Sequence, residues 1–155
     1  MVRTLLPFIL LVLLLVPSPA EANTVDVVKV HSGDLIEVGD GFMLRLVGLK
    51  APSLDDPNGQ KAYTYLKDAI EGRKVKLFTW TTDNTAAGIV HDDDGNAFGE
   101  IWYGENYSIE LNAEMLKLGL VITDPIHMPE NKADHYLKCE ETARKNHQGL
   151  WAEVK

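Results

Sequence analysis

The chain has 155 residues and a formal net charge of −8, with 15 lysines and arginines against 23 aspartates and glutamates. This acidic balance argues against tight polynucleotide binding, which usually begins with a basic surface that neutralises phosphates and releases counterions. The single cysteine, Cys139, excludes an intrachain disulfide and lies in a predicted helix, where we expect it to serve packing rather than chemistry.

The first 22 residues have the pattern of a secretory signal peptide. Arg3 precedes an apolar run from Leu5 to Val16, and Ala20-Glu21-Ala22 provides a small-residue cleavage site. The apolar run is shorter than the roughly 20 residues that a membrane-spanning helix needs. We therefore expect cleavage after Ala22, a secreted or periplasmic protein with no membrane span in its mature form, and one domain over residues 23–155.

Five segments have the composition of β-strands. Between Val25 and Gly48, three runs rich in branched residues are separated by glycine-containing turns, which predicts a β-meander. Lys74 to Thr81 alternates and predicts a fourth strand, and Ala97 to Tyr103 predicts a fifth. The polar segment from Thr81 to Ala87 between them is expected to be an exposed loop.

Three segments have helical patterns. The first, from Ala62 to Ile70, follows Pro57-Asn58-Gly59 and precedes a glycine at the C-cap position. Asn112 to Leu118 predicts a short second helix. Glu130 to about His147 predicts a long charged third helix with three residues facing inward, namely Tyr136, Leu137 and Ala143.

The order of these elements predicts the fold class. Five strands with one helix between the third and the fourth suit an α+β fold, a five-stranded OB-type Greek-key β-barrel with three α-helices. Short strands of this kind also build other α+β folds, so the pattern alone leaves alternatives open.

Several sequence blocks occur in an order that resembles the staphylococcal nuclease-like (thermonuclease) family. They are Gly33-Asp34, Arg45, Lys50-Ala51-Pro52-Ser53, Asp92-x-x-Gly95, Phe98-Gly99-x-Ile101-Trp102, Asn112 with Leu118-Gly119-Leu120, and Glu140-x-x-Ala143-Arg144 before Gly149-Leu150-Trp151. The resemblance runs from about Val25 to Trp151 and implies the OB-type barrel. In active members, it also implies calcium-dependent phosphodiester hydrolysis, with carboxylates on one calcium ion, a glutamate assisting the attacking water, and two arginines on the phosphate.

Two positions keep residues suited to this chemistry. The resemblance places Asp34 at the first metal-binding aspartate and Arg45 at the first phosphate-binding arginine. Arg45 lies on an apolar strand, where an unpaired charge would be costly. Two roles for Arg45 stay open: a structural ion pair with Asp34 or another acid, and a retained anion site.

Three other positions are substituted. Lys50 replaces the second metal-binding aspartate, and an ammonium group repels a cation and is a candidate partner for Asp34. Ser53 replaces the water-activating glutamate, and a hydroxyl with no base beside it cannot take a proton from water near neutral pH. Asn96 replaces the second arginine and lacks the charge that stabilises the transition state.

Other polar and aromatic residues are weaker candidates for functional sites. Asp55 and Asp56 are interpreted as loop acids, and the turn Asp92–Asp94, which fails the EF-hand spacing, as solvated. His31 and His91 are expected to be surface residues rather than metal ligands. Four aromatic residues are candidates for a stacking platform but lack surrounding positive charge, so a core role is the default: Phe78, Trp80, Trp102 and Tyr103.

These substitutions predict a thermonuclease-like domain that is impaired or inactive as a calcium-dependent phosphodiesterase and acts as a binding or structural module, with no cofactor. The alternative is an active endonuclease that cleaves DNA or RNA with calcium through a rearranged site. A third hypothesis is a domain that contacts another envelope or extracellular protein. Whether the chain is an enzyme is left open by the sequence.

Overall fold

The computed structural model describes residues 24–82 and 88–152, so the predicted signal peptide lies outside the described residues. The strands in these ranges are β1 (Thr24–Val30), β2 (Leu35–Val38), β3 (Phe42–Leu46), β4 (Leu49–Lys50), β5 (Lys74–Thr79), β6 (Ala97–Tyr103), β7 (Ile109–Glu110) and β8 (Ile122–Thr123). The helices are α1 (Pro57–Ile70), α2 (Leu111–Lys117) and α3 (Glu130–Lys145), with short 3-10 helices at Glu105–Tyr107 and Gly149–Trp151. None of the helices found there is long and apolar enough to cross a membrane.

Five strands close into a barrel within the described ranges. β1 pairs antiparallel with β2 and β5, β2 pairs with β3, and β5 pairs with β6. Parallel pairing of β3 with β6 completes the ring and sets Arg45 opposite Phe98. Helix α1 lies between the third and fourth barrel strands along the chain. The predicted α+β fold, an OB-type barrel with three α-helices, is confirmed.

The barrel forms because branched residues alternate along its strands and point inward. Val27, Ile36, Leu44, Val75 and Ile101 are each at most 1% exposed and belong to one continuous core. Burying a side chain of this size contributes about 1.5–3 kcal/mol relative to leaving it in water. The core therefore stabilises the fold without a disulfide.

Helix α3 corrects one prediction about the core. Leu137 was expected to face inward but is 53% exposed. The buried side of α3 is formed by Tyr136, Cys139, Glu140 and Ala143, and Leu137 lies one position beyond it. Burial raises the pKa of the Cys139 thiol, which agrees with the packing role predicted for it.

Element boundaries also differ slightly from the prediction. The fourth barrel strand ends at Thr79 rather than Thr81, α2 begins one residue earlier, and α3 ends at Lys145. Strands β4, β7 and β8 were not predicted, because two residues are too few to show an alternating pattern. Of the loop predicted at 81–87, residues 83–87 lie outside the described part of the chain.

Asn112 is the buried polar residue that fastens α2 to the barrel. Its side chain is fully buried, and its Oδ1 accepts a hydrogen bond from the Ile101 N–H at 3.1 Å. Its Nδ2 donates to the carbonyls of Val47 at 3.1 Å and Gly99 at 3.4 Å. One amide thus satisfies backbone groups on both sides of the parallel β3–β6 seam.

Glu140 performs a similar task for the segment after α2. Its carboxylate is 5% exposed, accepts from the Thr123 N–H at 2.7 Å, and binds the Arg144 guanidinium. Burial alone would raise the pKa of Glu140, but these hydrogen bonds outweigh burial and lower it. The interaction fixes β8 against α3 and so positions the residues that follow β8.

We predict that Asn112→Ala lowers the free energy of unfolding by about 2–3 kcal/mol, because buried backbone groups lose their partner. Asn146→Ala, at an exposed asparagine with no side-chain hydrogen bond to a described residue, is the matched control and should change stability by less than about 0.5 kcal/mol. Urea unfolding followed by tryptophan fluorescence measures both. Equal effects of the two substitutions would contradict this role for Asn112.

Candidate active-site cleft

An open cleft of about 480 Å³ lies at one end of the barrel, and we call it the active-site cleft. Its walls come from the turn between β1 and β2, from β3, from the segment Leu49–Leu54, from the acidic turn before β6, and from residues 124–127 after β8. The cleft brings together Asp34, Arg45, Lys50 and Ser53, which the sequence singled out.

Close packing of α1 against the segment after β4 forms one wall. A Cβ atom on Gly33 would lie 2.6 Å from the Ala62 Cβ and 2.9 Å from the Ala51 Cβ. A Cβ atom on Gly59 would lie 1.9 Å from the Ser53 carbonyl oxygen. Only glycine fits at these two contacts, which allows the backbone at Ala51 to approach Asp34.

Arg45 lies between two aspartates. Its Nη1 is 3.3 Å from Asp34 Oδ1, and its Nε is 2.7 Å from Asp92 Oδ2. The Arg45 side chain is 24% exposed, whereas the two aspartate side chains are 9% and 10% exposed. Of the two roles left open for Arg45, the ion pair is present in the structure; a role in binding an external anion stays a prediction.

Both oxygens of the Asp34 carboxylate accept hydrogen bonds from the protein. Oδ1 accepts from the Ser32 hydroxyl at 2.7 Å as well as from Arg45, and Oδ2 accepts from the Ala51 N–H at 2.9 Å. The suggestion that Lys50 pairs with Asp34 is therefore wrong. Lys50 is exposed and makes no ion pair with a described residue, because Arg45 and the Ala51 amide already occupy this carboxylate.

Asp92 is not the solvated turn residue that the sequence predicted, although Asp93 and Asp94 are exposed as expected. Oδ1 of Asp92 accepts from the N–H groups of Asp94 at 3.0 Å and Asn96 at 2.8 Å, and Oδ2 accepts from Asn96 Nδ2 at 2.9 Å. Burial alone would raise the pKa of Asp92, but the hydrogen bonds from Asn96 and Arg45 outweigh it and lower the pKa to about 2.

Asn96 and Ser53 have different surroundings. Asn96 is buried, binds Asp92 and does not line the active-site cleft. Ser53 does line the cleft, and its hydroxyl accepts from the Asp55 N–H at 3.3 Å. Asp56 accepts from the Asn58 N–H and caps α1. Neither Asp55 nor Asp56 lines the cleft, in agreement with their interpretation as loop acids.

His127 and Asp124 are cleft residues that the sequence analysis missed. His127 Nδ1 is 2.6 Å from Asp124 Oδ2, and the imidazole stacks on Phe98 with ring centroids 4.5 Å apart. Burial would raise the pKa of Asp124, but hydrogen bonds from His127 and the Ile126 N–H lower it. The only sequence signal was the spacing Asp-x-x-His, which is too common to indicate a site.

The segment that carries this pair is held by the backbone. The N–H of Asp124 donates to the Gly48 carbonyl at 2.9 Å, and the N–H of Gly48 donates to the His127 carbonyl at 2.9 Å. Because Nδ1 of a neutral His127 donates to Asp124, its Nε2 is left as a hydrogen-bond acceptor. The pair therefore has the chemistry of a proton acceptor oriented by a carboxylate.

The donor set of the cleft does not fit the calcium ion that the family resemblance implies. Asp34 and Asp92 have both carboxylate oxygens committed to protein donors, and the Lys50 ammonium lines the same cleft. Residues 24–82 and 88–152 contain no group of three His, Cys, Asp or Glu side chains that could hold a metal ion. His31, one of the histidines considered as a metal ligand, instead has its Nε2 3.1 Å from Glu37 Oε2.

Comparison with known proteins decides the family. The model of the staphylococcal nuclease homologue family matches residues 43–153, most of the chain. The chain belongs to this family. Within the matched range lie Arg45, Lys50, Ser53 and Asn96, whereas Asp34 lies upstream of it. The resemblance stated from the sequence blocks is thereby confirmed.

One relative adds to this assignment. Over 111 residues the chain is 29% identical to the staphylococcal-like nuclease CAN1 of Arabidopsis thaliana. The alignment covers 72% of this chain and 30% of that protein, so the chain spans less than a third of the relative's length.

We predict a pH dependence of stability from Asp92. Its folded-state pKa is lowered, so its ionised form stabilises the fold above the ordinary pKa near 4, and this contribution disappears as the pH falls through about 2. The difference in unfolding free energy between the unsubstituted protein and Asp92→Asn should therefore shrink by about 2 kcal/mol from pH 5 to pH 2.

Asp93→Asn is the matched control, because Asp93 is the exposed neighbour in the same turn. Its stability difference should stay constant within about 0.5 kcal/mol over this pH range. Urea unfolding at each pH provides the measurement. If the difference in unfolding free energy between the unsubstituted protein and Asp92→Asn does not change with pH, Asp92 is not held in its ionised form.

Proposed function

We propose that this member of the staphylococcal nuclease family is a secreted or periplasmic domain that does not carry out calcium-dependent phosphodiester hydrolysis and acts as a binding or structural module. The observation that carries the proposal is the Arg45 guanidinium bound between Asp34 and Asp92. The one retained phosphate-binding candidate and the retained metal-binding candidate are committed to each other. A substrate phosphate or a cation would therefore have to compete with these ion pairs.

The substituted positions support the same proposal. Among the described residues, no carboxylate or imidazole forms a hydrogen bond with the Ser53 hydroxyl, so this position offers no base to activate a water. Asn96 supplies no positive charge and binds Asp92. Loss of one charge-stabilising donor lowers rates by ~10²-fold or more, and loss of a general base lowers them by ~10²- to 10⁴-fold. Asn96 removes the donor and Ser53 removes the base.

Electrostatics make a polynucleotide ligand unfavourable at this cleft. Among the described residues that line it, five aspartates stand against two fixed cations, Arg45 and Lys50. The chain as a whole carries −8. A phosphate backbone would approach an acidic surface and release few counterions. A protein partner in the envelope or outside the cell is a ligand class more compatible with this charge.

We predict that the mature protein leaves single-stranded DNA and RNA uncleaved in calcium. The triple variant Lys50→Asp, Ser53→Glu, Asn96→Arg restores the family motif and should increase calcium-dependent cleavage by ~10²-fold or more over the unsubstituted protein. Gel assays of end-labelled substrate measure both. Efficient cleavage by the unsubstituted protein that is abolished by Asp34→Ala would overturn the proposal.

A second candidate function is an active endonuclease with a rearranged site. One observation favours it: the pair His127–Asp124 places an oriented proton acceptor in the same cleft as Arg45. In that case His127→Ala should abolish a measurable basal cleavage, and the triple variant should add little to it. Basal cleavage at background level in both His127→Ala and the unsubstituted protein excludes this candidate.

A further inference from the structure

A second open cleft, of about 700 Å³, lies between β5, β6, the 3-10 helix at Glu105–Tyr107 and the start of α3. Three aromatic side chains line it, those of Phe78, Trp102 and Tyr107, and we call it the aromatic cleft. It shares no lining residue with the active-site cleft. Its ligand is therefore independent of the chemistry argued for that cleft.

The strand register builds the floor of the aromatic cleft. Lys76 pairs with Trp102, and Phe78 pairs with Glu100, across the antiparallel β5–β6 ladder. Side chains at alternate positions share one face of a sheet, so these four residues lie on the same outer surface of the barrel. Phe78 is 41% exposed, and the Lys76 ammonium lies over one face of its ring, so the remaining surface of the ring is open to solvent.

The charged groups of the aromatic cleft largely neutralise one another. Glu100 accepts a hydrogen bond from the Trp102 indole and lies 2.7 Å from the Lys132 ammonium, which is also 3.2 Å from Glu110. Lys76 is the remaining cation in the lining, and its ammonium lies 5.0 Å from the centroid of the Phe78 ring. The cleft therefore has little net charge to offer an ionic ligand.

Two amide side chains at the rim are free for a ligand. Asn106 and Asn131 are exposed, and neither forms a side-chain hydrogen bond with a residue in the described ranges. Each amide supplies both donors and an acceptor, which suits neutral hydroxyl or amide groups. The rim is thus polar and uncharged above an aromatic floor.

One side of this rim is built from strained backbone. Asn106 and Tyr107 are consecutive non-glycine residues with φ of 54° and 53°, in the left-handed region. Such conformations cost on the order of 1–3 kcal/mol each and are concentrated at ligand sites and switch regions. Here the strained pair presents the Tyr107 ring and the Asn106 amide to the same cleft.

We propose that the aromatic cleft binds a neutral oligosaccharide. The C–H groups on one face of a pyranose ring are weakly positive and pack against the negative face of an aromatic ring. The hydroxyl groups at the ring edge can bind the amides of Asn106 and Asn131. An oligonucleotide is the alternative stacking ligand, but the acidic chain and the pairing of Lys132 with Glu100 and Glu110 disfavour its phosphates.

Isothermal titration calorimetry of the mature protein tests this proposal with cellopentaose, chitopentaose, maltopentaose and decathymidylate. At least one saccharide should bind with a Kd below about 1 mM. Phe78→Ala and Tyr107→Ala should each weaken that binding by about tenfold, as expected for a lost stacking contact. Phe42→Ala is the matched control, because Phe42 is also 41% exposed and does not line the aromatic cleft.

Three results would overturn the assignment. They are the absence of heat for all three saccharides at about 5 mM, equal weakening by Phe42→Ala and Phe78→Ala, and binding of decathymidylate alone. Circular dichroism of each variant verifies that the barrel is intact. Because the two clefts share no residue, detection of nuclease activity would contradict the proposed function and leave the saccharide result unaffected.

Discussion

The ion pairs of Arg45 with Asp34 and Asp92 determine how the walls of the active-site cleft are arranged. They join the turn before β2, the strand β3 and the acidic turn before β6. Asp34 and Asp92 are nearly buried, and without the guanidinium between them two desolvated negative charges would face each other. Removing one partner of a buried ion pair leaves the other charge uncompensated and costs about 3–5 kcal/mol. These ion pairs therefore join three segments of the cleft wall.

The barrel itself does not depend on catalytic chemistry. Asn112 fastens α2 across the β3–β6 seam, and Gly33 and Gly59 permit the close packing around α1. These contacts depend on side-chain volume and on hydrogen bonds to the backbone. They do not involve the side chains at positions 50, 53 and 96. The fold of this member of the staphylococcal nuclease family therefore does not depend on the substituted motif positions. The aromatic cleft lies on another face of the barrel and is a separate candidate binding surface.

The sequence predicted the parts of this structure that follow from local pattern. Alternation located the five barrel strands, and glycine and proline positions located α1. It could not place Asp92 in the cleft, because its contact with Arg45 joins residues 47 apart in the chain. Phe78 and Trp102 were candidates for a stacking platform, but a core role was the default because they were expected to lack surrounding positive charge. That default is wrong for Phe78, which is 41% exposed, and Lys76 and Lys132 lie beside the Phe78 and Trp102 rings. The linear order could not show Lys132, because it reaches Trp102 only through the packing of α3 against β6.

The most direct test of the account is a calorimetric titration of calcium into the mature protein with and without a nucleoside bisphosphate. In an intact nuclease site the ion and the phosphates would bind cooperatively, and each would strengthen the other by the same factor. With Arg45 committed to Asp34 and Asp92, we predict that neither ligand changes the affinity for the other. Mutual strengthening of about tenfold or more, abolished by Arg45→Ala, would contradict the account.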